Sequence, residues 1–265
     1  MAVVKSNTGE KTVLLNEQEE ILEKARFCKL SGIVDELHYQ FSNPKLYQDC
    51  SFEQRISSCL ESQINANRNA LFNTNFKKSR MSKKYYLSNY TESNERGPNS
   101  KDIQFLKELN FIDSAINIVI NGATGTGKTV LAMATGMEAI KHGHPVIFYR
   151  MSDLIMIMET KEPAAFVRFR DYLKKFHILI LDDYGLERLS EHAVIRFYDI
   201  LDCLYGNGSI IITTQLRHNS LKTAIPEKCT IREALMDRLQ RPSDRVITLN
   251  GKSWRGSTGE FKGDK

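Results

Sequence analysis

The sequence predicts an α/β fold, with a central five-stranded parallel sheet flanked by helices and preceded by a small all-helical region. Three observations predict it. From Asn16 to Asn75 the pattern of apolar residues is helical. Further along, five short apolar, β-branched runs (Ala115–Ile120, Val146–Tyr149, His177–Leu181, Ser209–Thr214 and Val246–Leu249) alternate with longer helical segments. Such alternation is the grammar of a parallel sheet with helices on both faces. Between the two regions, Gly97-Pro98-Asn99-Ser100 has loop chemistry and reads as a linker. The expected division is a helical N-terminal domain over 1–92 and a nucleotide-binding domain over 93–265.

Within the first region, Asn16 with Glu19 and Ser51 with Gln54 each fit a helix N-cap followed by an acid or amide at the third position. Leu30, Ile33, Val34, Leu37 and Phe41 form one helical stripe, and Asn43-Pro44 ends that helix. Phe52, Ile56, Cys59, Leu60 and Ile64 form the next. These stripes predict helices that bury one face against each other.

A chain of 265 residues, 41% hydrophobic and 26% charged, is long enough to bury a core and ordinary for a globular protein. No apolar run approaches the ~18 residues of a membrane helix, and the start lacks the apolar stretch of a secretory signal. The expectation is a cytoplasmic protein without a membrane partner. Five cysteines, an odd number without CxxC spacing, argue against a disulfide framework or a zinc site and read as buried free thiols. The net charge of +5 matters less than its placement. Residues 62–90 hold six Lys/Arg and no acid, whereas 1–61 hold seven against ten and 91–265 hold 24 against 22.

The run from Asn121 to Thr129 contains G-x-x-x-x-G-K-T, follows the first apolar run and opens the helical segment Val130 to Ile140. That is the context a phosphate loop requires. Gly122, Ala123, Thr124, Gly125, Thr126 and Gly127 let the backbone curl so that its N–H groups point at phosphate oxygens. The following helix adds the positive end of its dipole. Lys128 is placed to reach the β- and γ-phosphates, and the Thr129 hydroxyl to ligate Mg²⁺. These residues predict an ATP-binding P-loop NTPase.

The run from His177 to Leu181 ends in two acids. Asp182 is expected to hold Mg²⁺ through water, and Asp183 to orient the attacking water. Many ATPases of this type carry Glu at the second position, and Asp is shorter by one methylene. Alone, two acids after a strand read equally well as a solvated turn. The run Ser209 to Gln215 is a second buried strand with a polar end, expected to lie between the two motif strands. It offers Gln215 or Thr214 as a γ-phosphate sensor, or simply ends the strand. Arg232 and Arg238 follow, and Arg255 lies after the last run. An arginine fork stabilises charge on γ-phosphate oxygens, although by position alone a late arginine reads as a surface residue.

Taken together, these motifs resemble the IstB family, the helper ATPases of bacterial insertion sequences and relatives of DnaC-type helicase loaders. The likeness runs from about Phe27 to Arg255. Beyond the phosphate loop it is carried by Cys28 to Ile33, Ser51 to Arg55, Leu179-Ile180-Leu181-Asp182-Asp183-Tyr184-Gly185-Leu186, Ile212 to Leu216, Ala234 to Leu239, and Gly251-Lys252-Ser253-Trp254-Arg255. Asp-Asp-aromatic-Gly-Leu and Thr-Gln-Leu favour insertion-sequence helpers over loaders, which more often carry Asp-Glu. The resemblance implies an AAA+ fold with little or no lid and ATP hydrolysis. It also implies ATP-dependent assembly on DNA as a homo-oligomer with shared ATP sites, and cooperation with the transposase of the same element. Loading of a replicative helicase is the alternative. By motif position Arg238 is similar to the finger given to a neighbouring subunit, and Arg255 to the second sensor of its own subunit. Arg217 departs from the pattern, standing where proline is common, and Gly256 to Lys265 match nothing.

Arg68, Lys77, Lys78, Arg80, Lys83 and Lys84 are interleaved with Phe72, Phe76, Tyr85, Tyr86 and Tyr90. Cations and tyrosine hydroxyls can bind phosphate; a solvated helix end with packed aromatics is the equal alternative from the residues alone. With the resemblance, the stretch is expected to contact double-stranded DNA through its backbone with little sequence preference. A small-molecule kinase would share the phosphate loop but need neither this stretch nor an arginine given in trans.

Overall fold

The computed structural model describes residues 3–5, 11–13, 15–89, 98–241 and 243–251. They fall into two compact units, 1–73 and 74–265, whose boundary lies inside a long helix. The change of grammar at 92/93 therefore sits C-terminal to the compact boundary, and Lys77, Lys78, Arg80, Lys83 and Lys84 belong to the second unit while Arg68 belongs to the first.

The first unit begins with an antiparallel pair, β1 (Val3–Lys5) and β2 (Lys11–Val13), which the helical pattern does not foresee. Three helices follow: α1 (Asn16–Phe27), α2 (Ser31–Ser42) and α3 (Phe52–Lys78). Asn16 is not the first cap. Leu15 takes that place, and its backbone N–H is satisfied by Gln18 Oε1 at 3.1 Å, so Asn16 starts the helix proper. Ser51 does cap α3: its N–H donates to Gln54 Oε1 at 2.8 Å and its hydroxyl accepts from Gln54 N at 3.3 Å. The helix α2 stops at Ser42, ahead of Pro44, as expected.

The expected burial of the α3 stripe is corrected. Cys59 is buried, but Phe52, Ile56, Leu60 and Ile64 are exposed, Phe52 by 73%. Polar contacts stand where an apolar seam was expected. Gln63 Oε1 accepts from the N–H groups of Gly32 and Ile33 at 3.0 and 3.3 Å, capping the start of α2 from α3. A Cβ on Gly32 would lie 2.5 Å from the Ser62 carbonyl, so only glycine allows this approach. Buried Gln40 donates to Glu36 Oε1 and to the Arg55 carbonyl. The cysteine expectation also needs correction, since Cys28 and Cys50 are exposed free thiols, Cys59 is buried, and Cys203 and Cys229 are half-buried.

The second unit continues through α4 (Ser100–Glu108) and the single turn α5 (Asn110–Asp113) into the sheet. Its strands are β3 (Ile118–Gly122), β4 (Val146–Arg150), β5 (Ile178–Tyr184), β6 (Ser209–Thr214) and β7 (Arg245–Leu249), all parallel, in the order β4-β5-β6-β3-β7. Between them run α6 (Lys128–Lys141), α7 (Met151–Thr160), α8 (Pro163–Leu173), α9 (Glu191–Leu204) and α10 (Arg232–Leu239). The expected alternation is borne out, and every residue of β6 is buried, as a central parallel strand covered on both faces requires. The first strand starts at Ile118 rather than Ala115, because Asn117 is a polar junction. Its N–H donates to Asp244 Oδ1, its side-chain amide donates to the Arg238 carbonyl, and its Oδ1 accepts from Ile210 N. Val119, Leu179, Leu181, Ile210 and Ile212 of the sheet pack with Leu154, Met158, Phe166, Phe197 and Leu201 of the helices into one core. Among the described residues no helix is long and apolar enough to cross a membrane.

Candidate functional site

The strand order places β6 between β3 and β5, so three loops meet at the C-terminal ends of neighbouring strands, where open α/β sheets bind ligands. The loop after β3 curls through Gly125 and Gly127, whose φ angles of 81° and 91° lie in the left-handed region that glycine enters freely. Gly127 then opens α6, with Lys128 as its first residue. Lys128 is buried, and its ammonium donates to the Ala123 carbonyl at 2.8 Å, which folds the side chain back over the loop it serves.

On β5 the acids sit in a bulge. Leu181 pairs with Ile212 and Tyr184 with Thr214, so Asp182 and Asp183 together face one residue, Thr213. Asp183 takes a φ of 61°, a region Asp tolerates better than most residues. Bulges re-aim side chains beside active sites, and here hydrogen bonds fix one oxygen of Asp182 and the backbone of Asp183. Thr213 Oγ1 donates to Asp182 Oδ1 at 2.6 Å and accepts the Asp183 N–H at 2.9 Å. Thr129 Oγ1, on the first turn of α6, donates to the same Asp182 oxygen at 2.7 Å. Burial raises the Asp182 carboxyl above the ordinary carboxylate range. The hydrogen bonds from Thr213 and Thr129 oppose this, Asp183 adds to it, and Arg150 opposes it.

Thr129 hydroxyl and Asp182 carboxylate are hard oxygen donors meeting beside the phosphate loop, which suits Mg²⁺. The residues thus fit the ion that the sequence implies. Gln215 is brought to the loop, its Oε1 accepting from Thr124 Oγ1 at 3.0 Å. Thr214 is turned away: its hydroxyl donates to the Tyr184 carbonyl and accepts from Leu216 N, closing the strand. Arg238 is not brought to its own loop. Its carbonyl is bonded to Asn117, at the opposite end of β3, and five residues of strand span about 17 Å. Arg255 and Tyr90 lie outside the described residues. In the basic stretch, Lys77, Lys78 and Lys83 are exposed, Lys84 lies over the Phe76 ring, and Arg80 stacks on Tyr149 at 4.4 Å.

Sequence reasoning missed Thr213 and Arg150. Arg150 ends β4 directly opposite Asp182 and lines, with Asp183, Met151, Ser152 and Glu187, an open pocket of about 210 Å³. Its position as a cation ending the strand next to the acids becomes legible only when strand order is known.

A lysine-bearing glycine loop thus lies beside a carboxylate held by two threonine hydroxyls. Residues 24–260 match the family described as IstB-like ATP binding protein. The chain belongs to that family. Among its relatives, the ATP-binding protein of an IS21-like insertion sequence from Bacteroides fragilis is 26% identical over 244 residues, covering 91% of each chain. The corresponding IS21 protein of Pseudomonas aeruginosa is 25% identical, covering 91% of this chain and 89% of its own. Among solved structures, DnaI superposes with a TM-score of 0.54 at 22% identity, covering 62% of this chain and 90% of that one. DnaA from Aquifex aeolicus bound to AMPPCP gives 0.51 at 26% identity, and this chain spans about half of it, the match covering 62% here and 50% there. With the sheet order, these likenesses establish the AAA+ fold in an ATP-binding insertion-sequence family.

Proposed function

We propose that the chain is an ATP-hydrolysing, DNA-binding AAA+ regulator that assembles on DNA and assists the transposase of its own insertion sequence. The observation that carries the hydrolytic part is the linkage of Thr129, Asp182, Thr213 and Asp183 at the mouth of the phosphate loop. When ATP enters, Lys128 exchanges the Ala123 carbonyl for phosphate oxygens. Mg²⁺, when bound, neutralises charge on the β- and γ-oxygens. Asp182, fixed by two threonine hydroxyls, holds its carboxylate in one orientation. Asp183, whose backbone is fixed by the same Thr213, orients the attacking water. Gln215 reports on the γ-phosphate through Thr124. Arg238, remote from its own loop, serves the loop of a neighbouring copy, and Lys77, Lys78 and Lys83 offer exposed cations to DNA phosphates.

The relatives' association with insertion sequences supports a transposase as the partner. The test is reconstitution. Added with ATP to the transposase encoded by the same element, the chain should raise the yield of target-joined DNA, and Lys128→Ala should not. If the wild-type chain gives no increase, and instead captures a replicative helicase, the transposition reading is wrong.

A further inference from the structure

Arg238 is fastened at two points and free at a third. Its carbonyl accepts from Asn117 Nδ2 at 2.9 Å, and Asn117 is itself buried and bonded to Ile210 N and Asp244 Oδ1, so the last turn of α10 is tied to the sheet. The side chain is held again by the C-terminal end of α9. Nε donates to Asp202 Oδ1 at 3.1 Å, and the guanidinium lies 4.3 Å from the centroid of the Tyr205 ring. Among the described residues neither terminal nitrogen of Arg238 donates a hydrogen bond. A guanidinium has a flat face and two edges of donors. Here the face and the Nε edge are used, and the terminal fork, the edge that grips two phosphate oxygens side by side, is left over.

We propose that Asp202 and Tyr205 are positioning residues for Arg238, holding its guanidinium so that the terminal fork is presented to the γ-phosphate in a neighbouring copy of this chain. This assignment rests on the shared-site reading above and adds what makes the arginine ready. An arginine has four side-chain torsions, and fixing them before subunits meet removes that ordering from the catalytic step. Asp202 is half exposed, so it can be replaced without opening the core.

The test uses the full chain and mixtures of variants. Asp202→Ala alone should turn over ATP about tenfold to a hundredfold more slowly, the size of a small misplacement of a catalytic group. Asp202→Asn, which keeps an acceptor oxygen, should retain most of the rate. Tyr205→Ala should be slow and Tyr205→Phe should not. Mixed with Lys128→Ala, which supplies an intact Arg238, the Asp202→Ala protein should regain activity, because its own phosphate loop is sound. Mixed with Arg238→Ala, which needs an arginine from its neighbour, it should regain almost none. A wild-type rate for Asp202→Ala overturns the proposal, as does failure to regain activity in the mixture with Lys128→Ala, which would make Asp202 structural, or full recovery in the mixture with Arg238→Ala. A Lys128→Ala and Arg238→Ala mixture that stays inactive although mixed assemblies form sinks the shared-site reading itself, and the assignment with it. That outcome is read without any Asp202 variant.

Discussion

Thr213→Val isolates the device that aims both acids. Valine keeps the shape of threonine and removes one hydroxyl from a fully buried position. That hydroxyl makes two bonds, to Asp182 Oδ1 at 2.6 Å and from Asp183 N at 2.9 Å. A hydrogen bond to a charged group is worth about 1.5–3 kcal/mol, and leaving a buried N–H unpaired costs about 1–3 kcal/mol. The two losses share one atom and do not simply add, so the expected destabilisation is about 2–4 kcal/mol. With the bulge loosened, turnover at saturating ATP should fall about tenfold to a hundredfold. Urea unfolding of the nucleotide-free protein and steady-state phosphate release read the two effects. Thr213→Ser, which keeps the hydroxyl and loses a methyl, should retain turnover and separate the hydrogen bonds from packing. If Thr213→Val unfolds within about 0.5 kcal/mol of wild type and turns over at the wild-type rate, the hydroxyl does not organise the acids and the reasoning fails.

Asp183→Asn should bind ATP as tightly as wild type, hydrolyse it at least about tenfold more slowly, and dwell longer on DNA; loss of nucleotide binding as well would make Asp183 a metal or structural residue. Asp182 carries a raised pKa in the folded protein, so the native state loses stability as pH rises from the unfolded value through the folded one. Asp182→Asn stays neutral, so the nucleotide-free variant should melt above wild type at pH 7, with the gap closing near about pH 4, while Mg²⁺-dependent ATP binding weakens; a lower melting point at pH 7 would contradict the assigned burial effect. If Lys77, Lys78 and Lys83 each meet a phosphate, their triple alanine variant should lower the slope of log affinity against log salt by about three on random duplex, and an unchanged slope would remove them from the interface.

What could be read in advance follows the range of the interaction. The phosphate loop is eight consecutive residues whose chemistry is local, and the acids of β5 end an unbroken apolar run, so both stand out in the sequence. The sheet was legible for the same reason, since buried parallel strands are continuous apolar segments. Thr213 was overlooked because its partners are 30 and 31 residues away on another strand. Side-chain alternation turns Thr213 toward the acids and Thr214 toward Tyr184, and only the register tells the two threonines apart. The Asn117 junction, which delays β3, depends on Asp244 and Arg238 across the fold and has no local signature. The α3 stripe failed differently: periodicity identifies an apolar face but does not say what covers it, and Phe52, Ile56, Leu60 and Ile64 remain exposed.

On the function proposed above, nucleotide hydrolysis depends on neighbouring copies gathered on DNA. Phosphate release by the wild-type chain, measured against protein concentration with and without random duplex, tests it most directly. The rate should rise more steeply than in proportion to concentration, because one copy holds its phosphate loop about 17 Å of strand away from its own Arg238. Duplex should move the rise to lower concentration, and Lys128→Ala should abolish it. A rate strictly proportional to concentration and indifferent to DNA would contradict that dependence.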